Sequence, residues 1–223
     1  MKYRHRFHAG NFADVHKHIA LLALLRALKR KDKGFLYLDT HAGRGSYDLS
    51  GAQEAPAGIE RFMQSEHRAP ELREYADLIS QFRAGAARRH LYPGSPLIGA
   101  SELRAQDRAV LIELQGAEAA RRFPSGVLAA WYPIKDERDI GPWQAACLQA
   151  LRAVTERSAV LASELWLYPR DSRVALNGSG LLLVNPPWLM LERMQVWLPE
   201  LQTALAVGEG AGSSARILSE SSR

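Results

Sequence analysis

Residues 35–45 read Phe-Leu-Tyr-Leu-Asp-Thr-His-Ala-Gly-Arg-Gly, and this stretch decides the fold. Its apolar first half is short and ends in Asp39, which predicts a buried strand of a parallel sheet. The glycines that follow let the backbone approach a ligand, as in nucleotide pockets at the carboxyl ends of such strands. The spacing falls short of G-x-G-x-x-G, and the P-loop pattern G-x-x-x-x-G-K-[ST] occurs nowhere in the sequence. Taken alone, the glycines also fit a plain structural turn.

Strand and helix signals alternate on both sides of this stretch. A helix is predicted over 12–31, where Val15, Ile19 and Leu22 recur at helical spacing. Residues 50–92 are rich in Arg, Glu, Gln and Ala at helical spacing, which predicts a helical insertion. Further helices are predicted at 96–105, 138–157 and 189–205, and strands at 109–114, 127–132, 160–168 and 180–184, before a Gly/Ser-rich tail. The alternation predicts an α/β fold with a mainly parallel sheet.

The composition is typical of one globular domain spanning 1–223. Of the 223 residues, 47% are hydrophobic and 24% are charged, which excludes disordered and fibrous classes. No apolar run reaches the roughly 18 residues of a transmembrane helix, and the first residues are polar. The single cysteine, Cys147, argues for a reducing compartment. We therefore expect a cytoplasmic monomer that makes no membrane contact.

The front of the chain is basic and rich in histidine. Residues 1–95 carry 16 Lys and Arg against 10 Asp and Glu, and they hold all seven histidines. Residues 3–18 interleave aromatic and basic side chains, the pattern that base stacking and phosphate attraction require, so RNA or DNA is the predicted partner. A solvated basic face is the alternative. These histidines lack the Cys or carboxylate partners of a zinc site, and no metal is predicted.

Two later parts of the sequence also indicate a site that binds a nucleotide. Glu113 ends the second predicted strand, where a carboxylate can accept hydrogen bonds from both ribose hydroxyls, although a solvent-facing strand end is the alternative. Residues 182–188 read Leu-Leu-Val-Asn-Pro-Pro-Trp, similar to the signature of amino-group methyltransferases. In that signature an Asn or Asp side chain and a proline carbonyl accept hydrogen bonds from an exocyclic amine, and consecutive prolines hold the carbonyl still.

Together these motifs resemble the bacterial ribosomal RNA large subunit methyltransferase J family. Residues 3–18 match its opening, Tyr-Arg-His-x-Phe-His-Ala-Gly-Asn-x-Ala-Asp-Val-x-Lys-His, and residues 38–47 match Leu-Asp-Thr-His-Ala-Gly-x-Gly-x-Tyr. Tyr-Pro-Gly-Ser-Pro at 92–96, Glu113, Trp-Tyr-Pro at 131–133 and Asn-Pro-Pro-Trp at 185–188 follow in the family's order. The resemblance implies a Rossmann-like sheet that binds S-adenosylmethionine (SAM), with an inserted small helical subdomain. It also implies N6-methylation of an adenine in 23S ribosomal RNA.

The resemblance assigns roles to individual residues. Position by position, the family's cofactor contacts fall on His18, His41, Ser95 and Glu113. Tyr3 and Lys17 match residues near the substrate. The glycine turn adds Gly43 to the predicted cofactor site, and the basic N-terminal segment adds Arg4 as a predicted phosphate contact.

One part of the family pattern is missing. The family carries a catalytic Asp-Pro-Pro-Tyr between the positions of Glu113 and Trp131, and an Asp near the cofactor's adenine before it; neither is present here. About two βα units, roughly 50 residues, are absent, and Phe123-Pro124 has the character of a junction. Either the sequence omits a segment, or the chain is a non-catalytic nucleic-acid-binding protein on a methyltransferase scaffold. We favour omission, because removing a central strand would expose the backbone groups of its neighbours.

No catalytic residue follows from the family motif in this chain. Asn185 is the substitute that the sequence offers, but the family carries Asn-Pro-Pro-Trp in addition to its catalytic motif. We therefore interpret Asn185 as part of a structural turn. A Rossmann dehydrogenase is disfavoured by the incomplete glycine fingerprint.

Overall fold

The computed structural model describes residues 8–39, 41–42, 45–84, 89–111, 126–135, 137–152, 159–169, 172, 174 and 176–219. The chain divides into two compact units, Met1–Leu114 and Gln115–Arg223. The first unit contains α1 (Phe12–Lys29), β1 (Leu36–Asp39), β2 (Ser46–Asp48), α2 (Ile59–Gln64), α3 (Pro70–Phe82), β3 (Leu91–Pro93), α4 (Ser95–Glu102) and β4 (Arg108–Leu111). The second contains β5 (Leu128–Ile134), α5 (Glu137–Arg152), β6 (Val160–Trp166), β7 (Gly178–Val184), α6 (Met190–Leu205) and β8 (Gly212–Ser219).

The predicted α/β class is confirmed by this order of elements. Most predicted helices and strands are present within a few residues of their predicted bounds. None of the helices in the described part of the chain is long and apolar enough to cross a bilayer. The extent of the domain, predicted as 1–223, stays a prediction.

The first unit is organised around α1. The helix begins at Phe12 because Asn11 has extended backbone and its side chain accepts a hydrogen bond from the Asp14 amide at 3.0 Å, as an N-cap does. Val15, Ile19 and Leu22 are buried on the helix, as their spacing predicts. Burial of such side chains stabilises the unit by about 1.5–3 kcal/mol each, which makes α1 the main apolar element of its core.

Two pairs of strands complete the first unit. β1 and β4 are parallel, with Leu36 opposite Arg108. β2 and β3 are antiparallel, with Tyr47 opposite Tyr92. β1 was predicted to be buried, but Leu36 is 44% exposed. Within the described residues β1 pairs with β4 alone, so its apolar side chains lack the flanking strand that a central position in a sheet provides.

The predicted insertion, 50–92, is helical along most of its length. Two 3-10 turns, Leu49–Gly51 and Ala55–Ala57, precede α2 and α3. The prediction is wrong at the end of this region, where Leu91–Pro93 forms β3. Three residues that include a proline carry little strand signal, and their pairing depends on β2, which is distant in sequence.

The second unit contains a four-stranded sheet in the order β5-β7-β6-β8. All neighbouring strands in it are antiparallel, so the prediction of a mainly parallel sheet is wrong for this unit. β5 and β6 nevertheless run in the same direction, because both are antiparallel to β7, which lies between them. β7 is buried along its whole length. Such a continuous apolar run predicts burial on both faces but does not encode the direction of its neighbours.

The Gly/Ser-rich stretch that the sequence presented as a tail forms β8 at the edge of this sheet. It pairs with β6, with Leu161 opposite Ile217 and Trp166 opposite Gly212. Glycine and serine have low strand propensity, so a local pattern does not predict this strand. Its formation depends on contacts made across the sheet.

A buried carboxylate provides one of those contacts. Glu164 on β6 is fully buried and accepts hydrogen bonds from the Tyr132 hydroxyl at 2.7 Å and from Gln144 Nε2 at 2.9 Å. Its second oxygen accepts a hydrogen bond at 2.8 Å from the guanidinium of Arg216 on β8. This hydrogen bond raises the pKa of Arg216. A buried charge is tolerated only when it is paired and hydrogen-bonded, so Arg216 joins β8 to the interior of the sheet.

We expect Arg216→Met to lower the free energy of unfolding of the second unit by about 1–3 kcal/mol, because the buried Glu164 carboxylate loses its cation. Urea unfolding followed by tryptophan fluorescence reports on this unit, since all five tryptophans lie between positions 131 and 197. Adding Glu164→Gln to Arg216→Met should recover part of the loss. Equal stability of Arg216→Met and the parent protein would contradict the role given to the ion pair.

A second prediction concerns His16 on α1. Its side chain is fully buried, and burial, with a smaller contribution from Lys17, lowers its pKa from 6.5 to about 3. Below pH 6.5 the unfolded chain binds a proton that the folded chain does not, so this histidine reduces stability as the pH falls from about 6.5 towards 3. His16→Gln should therefore flatten the pH dependence of unfolding by up to about 1.4 kcal/mol per pH unit in that window.

Urea unfolding followed by circular dichroism at pH 7, 6 and 5 measures this slope. The matched control is His90→Gln, which changes a surface histidine of the same unit. If His16→Gln and the parent protein lose stability in parallel on acidification, His16 is not the group responsible.

Candidate functional site

The start of α1 is built by residues of the N-terminal motif. Asp14 Oδ2 accepts a hydrogen bond from the Gly10 amide at 3.0 Å, and Asn11 Oδ1 accepts one from the Asp14 amide. Gly10 has φ +76°, a backbone conformation that favours glycine. The other oxygen of Asp14 lies 2.7 Å from Lys17 Nζ. One buried carboxylate therefore holds the first turn of the helix and the ammonium group of Lys17.

The carboxyl end of β1 forms a second part of the site. Asp39 Oδ1 accepts a hydrogen bond from the His41 amide at 3.1 Å, the pattern of an Asx turn. Asp39 Oδ2 accepts one from the Tyr37 hydroxyl at 2.9 Å. Burial, together with the neighbouring Asp39 carboxylate, raises the pKa of Tyr37 well above its ordinary value, so its hydroxyl stays a donor. Asp39 thus sets the turn that places His41 directly after the strand.

The β2–β3 pair ties the glycine turn to the start of α4. The amide of Gly94 donates a hydrogen bond to the carbonyl of Gly45 at 2.8 Å, next to the pairing of Tyr47 with Tyr92. Gly94 is the N-cap of α4, and Ser95 is the first residue of that helix. This backbone arrangement holds Ser95 beside the segment that follows β1.

A cavity in the first unit is lined by side chains from all three segments. Its lining residues are Asp14, Lys17, His18, His41, Ala42, Tyr47, Gly94 and Ser95. The structure therefore brings together His18, His41 and Ser95, which the resemblance implies for the cofactor, and Lys17, which it implies for the substrate side. These four residues come from separate parts of the sequence.

The cavity offers groups of both charges. It has the Asp14 carboxylate, the Lys17 ammonium, the imidazoles of His18 and His41, and the hydroxyl of Ser95. Within the described part of the chain, no group of three His, Cys, Asp or Glu side chains is arranged to hold a metal ion. The combination suits a small organic ligand that carries both a carboxylate and an ammonium group, because each would find a complementary partner.

Three polar side chains at the site were not predicted from the sequence. Asp14 holds Lys17, Tyr47 lines the cavity, and the Tyr92 hydroxyl lies 2.8 Å from His18 Nδ1. All three belong to the motifs that carry the family resemblance. The signal was present in the sequence, but their roles follow only from contacts between distant segments.

Several predicted site residues lie outside the part of the chain that the structure describes. They are Tyr3, Arg4, Gly43 and Glu113. The junction Phe123–Pro124 lies outside it as well. The roles given to these residues stay predictions.

Asn185 lies in the second unit, at the end of β7. Its backbone is left-handed, with φ 53°; its side-chain Nδ2 donates to the Gly126 carbonyl at 3.1 Å, and its amide donates to the Ala159 carbonyl at 2.8 Å. Gly126 and Ala159 precede β5 and β6, so Asn185 lies at the amino ends of these two strands. Ligand sites of open α/β sheets lie at the carboxyl ends of parallel strands, so this position favours a structural turn.

Comparisons with known proteins agree with one another. The family model described as "Ribosomal RNA large subunit methyltransferase D, RlmJ" matches residues 32–120 and 115–217. The ribosomal RNA large subunit methyltransferase J of Haemophilus influenzae (strain ATCC 51907 / DSM 11121 / KW20 / Rd) is 31% identical over 277 positions, covering 96% of each chain. The protein of the same name from Escherichia coli (strain K12) is 31% identical over 286 positions, covering 99% of this chain and 100% of the relative.

A solved structure is similar as well. The crystal structure of protein LPL1258 from Legionella pneumophila str. Philadelphia 1, of the family DUF519, has a TM-score of 0.76 and is 27% identical. The match covers 96% of this chain and 98% of that one. The fold of the chain is therefore shared with an experimental structure along nearly its whole length.

The comparisons also bear on the segment that the family pattern lacks here. The alignment with the Haemophilus influenzae relative has 277 positions, whereas the whole chain has 223 residues, so at least 54 positions have no counterpart here. The two matches of the family model meet at 115–120, just after Glu113, where the sequence lacks Asp-Pro-Pro-Tyr. Since this model matches most of the chain and both relatives exceed 30% identity over nearly all of it, the chain belongs to the ribosomal RNA large subunit methyltransferase J family.

Proposed function

We propose that this chain is a SAM-dependent methyltransferase that modifies N6 of an adenine in 23S ribosomal RNA. Family membership and the names of the two relatives support methylation of ribosomal RNA. The observation that carries the proposal to this chain is the cavity shared by Lys17, His18, His41 and Ser95. These are the described residues that the resemblance assigns to the cofactor and the substrate side.

The chemistry of the cavity fits SAM. The methionine part of SAM carries a carboxylate and an ammonium group, and its sulfonium supplies the electrophilic methyl group. Lys17, held in place by Asp14 at 2.7 Å, and His18 would hold the carboxylate as cationic or N–H donors. The Ser95 hydroxyl would accept a hydrogen bond from the ammonium group. Glu113, at the end of the second predicted strand, would hold the ribose.

The charge of the first unit fits an RNA substrate. Arg30, Lys31 and Lys33 follow α1 as an exposed basic run. Exposed Lys and Arg side chains attract phosphates, and release of counterions makes such binding favourable at low salt. We propose that Tyr3 stacks on a base and Arg4 contacts a phosphate at the mouth of the cavity. Because the proposed substrate is ribosomal RNA, we propose a cytoplasmic location for the protein.

Transfer to an adenine amine needs more than cofactor binding. The lone pair of N6 is delocalised into the ring, so hydrogen-bond acceptors on its protons and in-line positioning of the methyl group must promote the attack. The family uses Asp-Pro-Pro-Tyr for this purpose, and the sequence of this chain has no Asp-Pro-Pro. That observation favours a second candidate function, namely binding of SAM and RNA without methyl transfer.

Calorimetric titration tests the cofactor site. We expect SAM and its demethylated product to bind, and NAD not to bind. Ser95→Ala should weaken SAM binding by about 3- to 10-fold, the effect of losing one hydrogen bond of about 1 kcal/mol. Ser101→Ala on the same helix is the matched control, because the Ser101 hydroxyl bonds to the Ile98 carbonyl instead. Equal weakening by both substitutions would remove Ser95 from the site.

Transfer of a labelled methyl group separates the two candidate functions. The chain is incubated with SAM carrying a tritiated methyl group and with 23S ribosomal RNA that lacks the modification, and the nucleosides are then separated. Label in N6-methyladenosine supports the enzyme. SAM binding with no label in RNA supports the non-catalytic candidate, and absence of SAM binding contradicts both.

A further inference from the structure

Two buried tyrosines extend from the cavity into the helical region of the first unit. The Tyr75 hydroxyl on α3 lies 2.8 Å from the Tyr92 hydroxyl on β3, which lies 2.8 Å from Nδ1 of His18 on α1. Tyr75 and Tyr92 are almost completely buried, and His18 is 8% exposed. The chain of hydrogen bonds therefore joins three elements and ends on a residue of the cavity.

The direction of the protons along this chain follows from the partners of Tyr75. Within the described residues its hydroxyl has a single hydrogen-bond partner, the hydroxyl of Tyr92. A buried hydroxyl proton without an acceptor is costly, so Tyr75 donates to Tyr92. The Tyr92 oxygen then accepts from Tyr75, and its own proton goes to His18 Nδ1.

The protonation of both phenols supports this direction. Burial raises the pKa of Tyr75 and Tyr92 well above the ordinary value for tyrosine, so both hydroxyls keep their protons at neutral pH. The charged groups that act on them are Asp14 on α1 and Arg83 at the end of α3. Because both phenols keep their protons, the Tyr92 hydroxyl donates to Nδ1 of His18 while it accepts from Tyr75.

We propose that Tyr75 and Tyr92 are positioning residues that fix His18 in the tautomer with its proton on Nε2, so that the ring donates a hydrogen bond to a carboxylate in the cavity. This inference rests on the proposed function, in which the carboxylate belongs to SAM. A neutral imidazole that accepts at Nδ1 must carry its proton on Nε2, on the other side of the ring. A ligand that places a hydrogen-bond acceptor beside Nε2 is therefore favoured over one that places a donor there.

The surroundings keep Tyr92 in place independently of any ligand. Its ring stacks on the His18 ring at a centroid distance of 5.4 Å and an interplanar angle of 28°. Its backbone pairs with Tyr47, which lines the cavity. Tyr75 comes from the predicted insertion, so this inference also gives the insertion a role in the cofactor site.

A double-mutant cycle tests whether Tyr92 acts through His18. Tyr92→Phe keeps the ring and its stacking but removes the hydroxyl, and we expect it to weaken SAM binding about 3- to 10-fold. In a His18→Ala background the same substitution should change SAM binding less than twofold, because the ring it positions is gone. Tyr132→Phe is the matched control, since it removes a buried hydroxyl in the second unit.

Nitrogen NMR of the ¹⁵N-histidine-labelled protein reads the tautomer directly, without ligand. We expect His18 to carry its proton on Nε2 in the parent protein. Tyr92→Phe should shift it towards a mixture of tautomers, and Tyr75→Phe should shift it less. A protein that is merely destabilised would keep the parent tautomer in its folded fraction.

Several outcomes would overturn the inference. They are a proton on Nδ1 of His18 in the parent protein, unchanged SAM affinity with an unchanged tautomer in Tyr92→Phe, or equal weakening by Tyr92→Phe with and without His18. If Tyr92→Phe fails to fold, the His18 tautomer in the parent protein and in Tyr75→Phe tests the inference instead. Failure of the parent protein to bind SAM would contradict the proposed function, while the tautomer would still test the positioning of His18.

Discussion

The hydrogen bonds at the start of α1 are the constraint on which the first unit depends. Asn11 satisfies the Asp14 amide, which a helix terminus leaves without a partner, and Asp14 in turn holds the Gly10 amide that precedes the helix. The Gly10 carbonyl accepts a hydrogen bond at 2.8 Å from the Ile59 amide, so the same turn also anchors α2. Gly58 lies so close to Gly10 and Asn11 that a Cβ there would overlap their backbone. The position of Lys17 and His18 follows from this junction.

The helical region between β2 and β3 therefore helps to position residues that line the cavity. Its first helix begins against the turn of α1, and its second helix supplies Tyr75 to the hydrogen-bond chain that ends on His18. An apolar core alone would tolerate many side chains at these positions. A buried hydroxyl chain does not, because each donor and acceptor in it needs a particular partner.

The second unit is stabilised in a comparable way. Its strands are buried and apolar, yet β6 carries the fully buried Glu164, which a glutamine, a tyrosine and an arginine on β8 satisfy. β5 and β6 run in the same direction on either side of β7, and the exposed Trp188 follows β7. All of them belong to the second unit, whereas the cavity residues belong to the first. Asn185 lies after β7, at the amino ends of β5 and β6, a position that favours a structural turn over a substitute for Asp-Pro-Pro-Tyr.

The gap after Glu113 bears on both the fold and the function. At least 54 aligned positions of a relative have no counterpart in the chain, and the two matches of the family model meet at 115–120, just after Glu113. The described strands form separate sheets, with β1 and β4 in one and β5 to β8 in another. The residues His18, His41 and Ser95, which the resemblance assigns to the cofactor, lie in the first unit, so binding and transfer are separable questions for this protein.

The sequence by itself determined the fold class, the family and four of the eight residues that line the cavity. Apolar periodicity is a local property, and it located the long helices and five of the eight strands in the described part of the chain, while short motifs singled out Lys17, His18, His41 and Ser95. Tertiary structure alone decided the antiparallel pairing of β7, the formation of β3 and β8, and the roles of Asp14, Tyr75 and Tyr92. The physical reason is that burial leaves a periodic pattern along the chain, whereas a hydrogen bond between residues 74 positions apart leaves none.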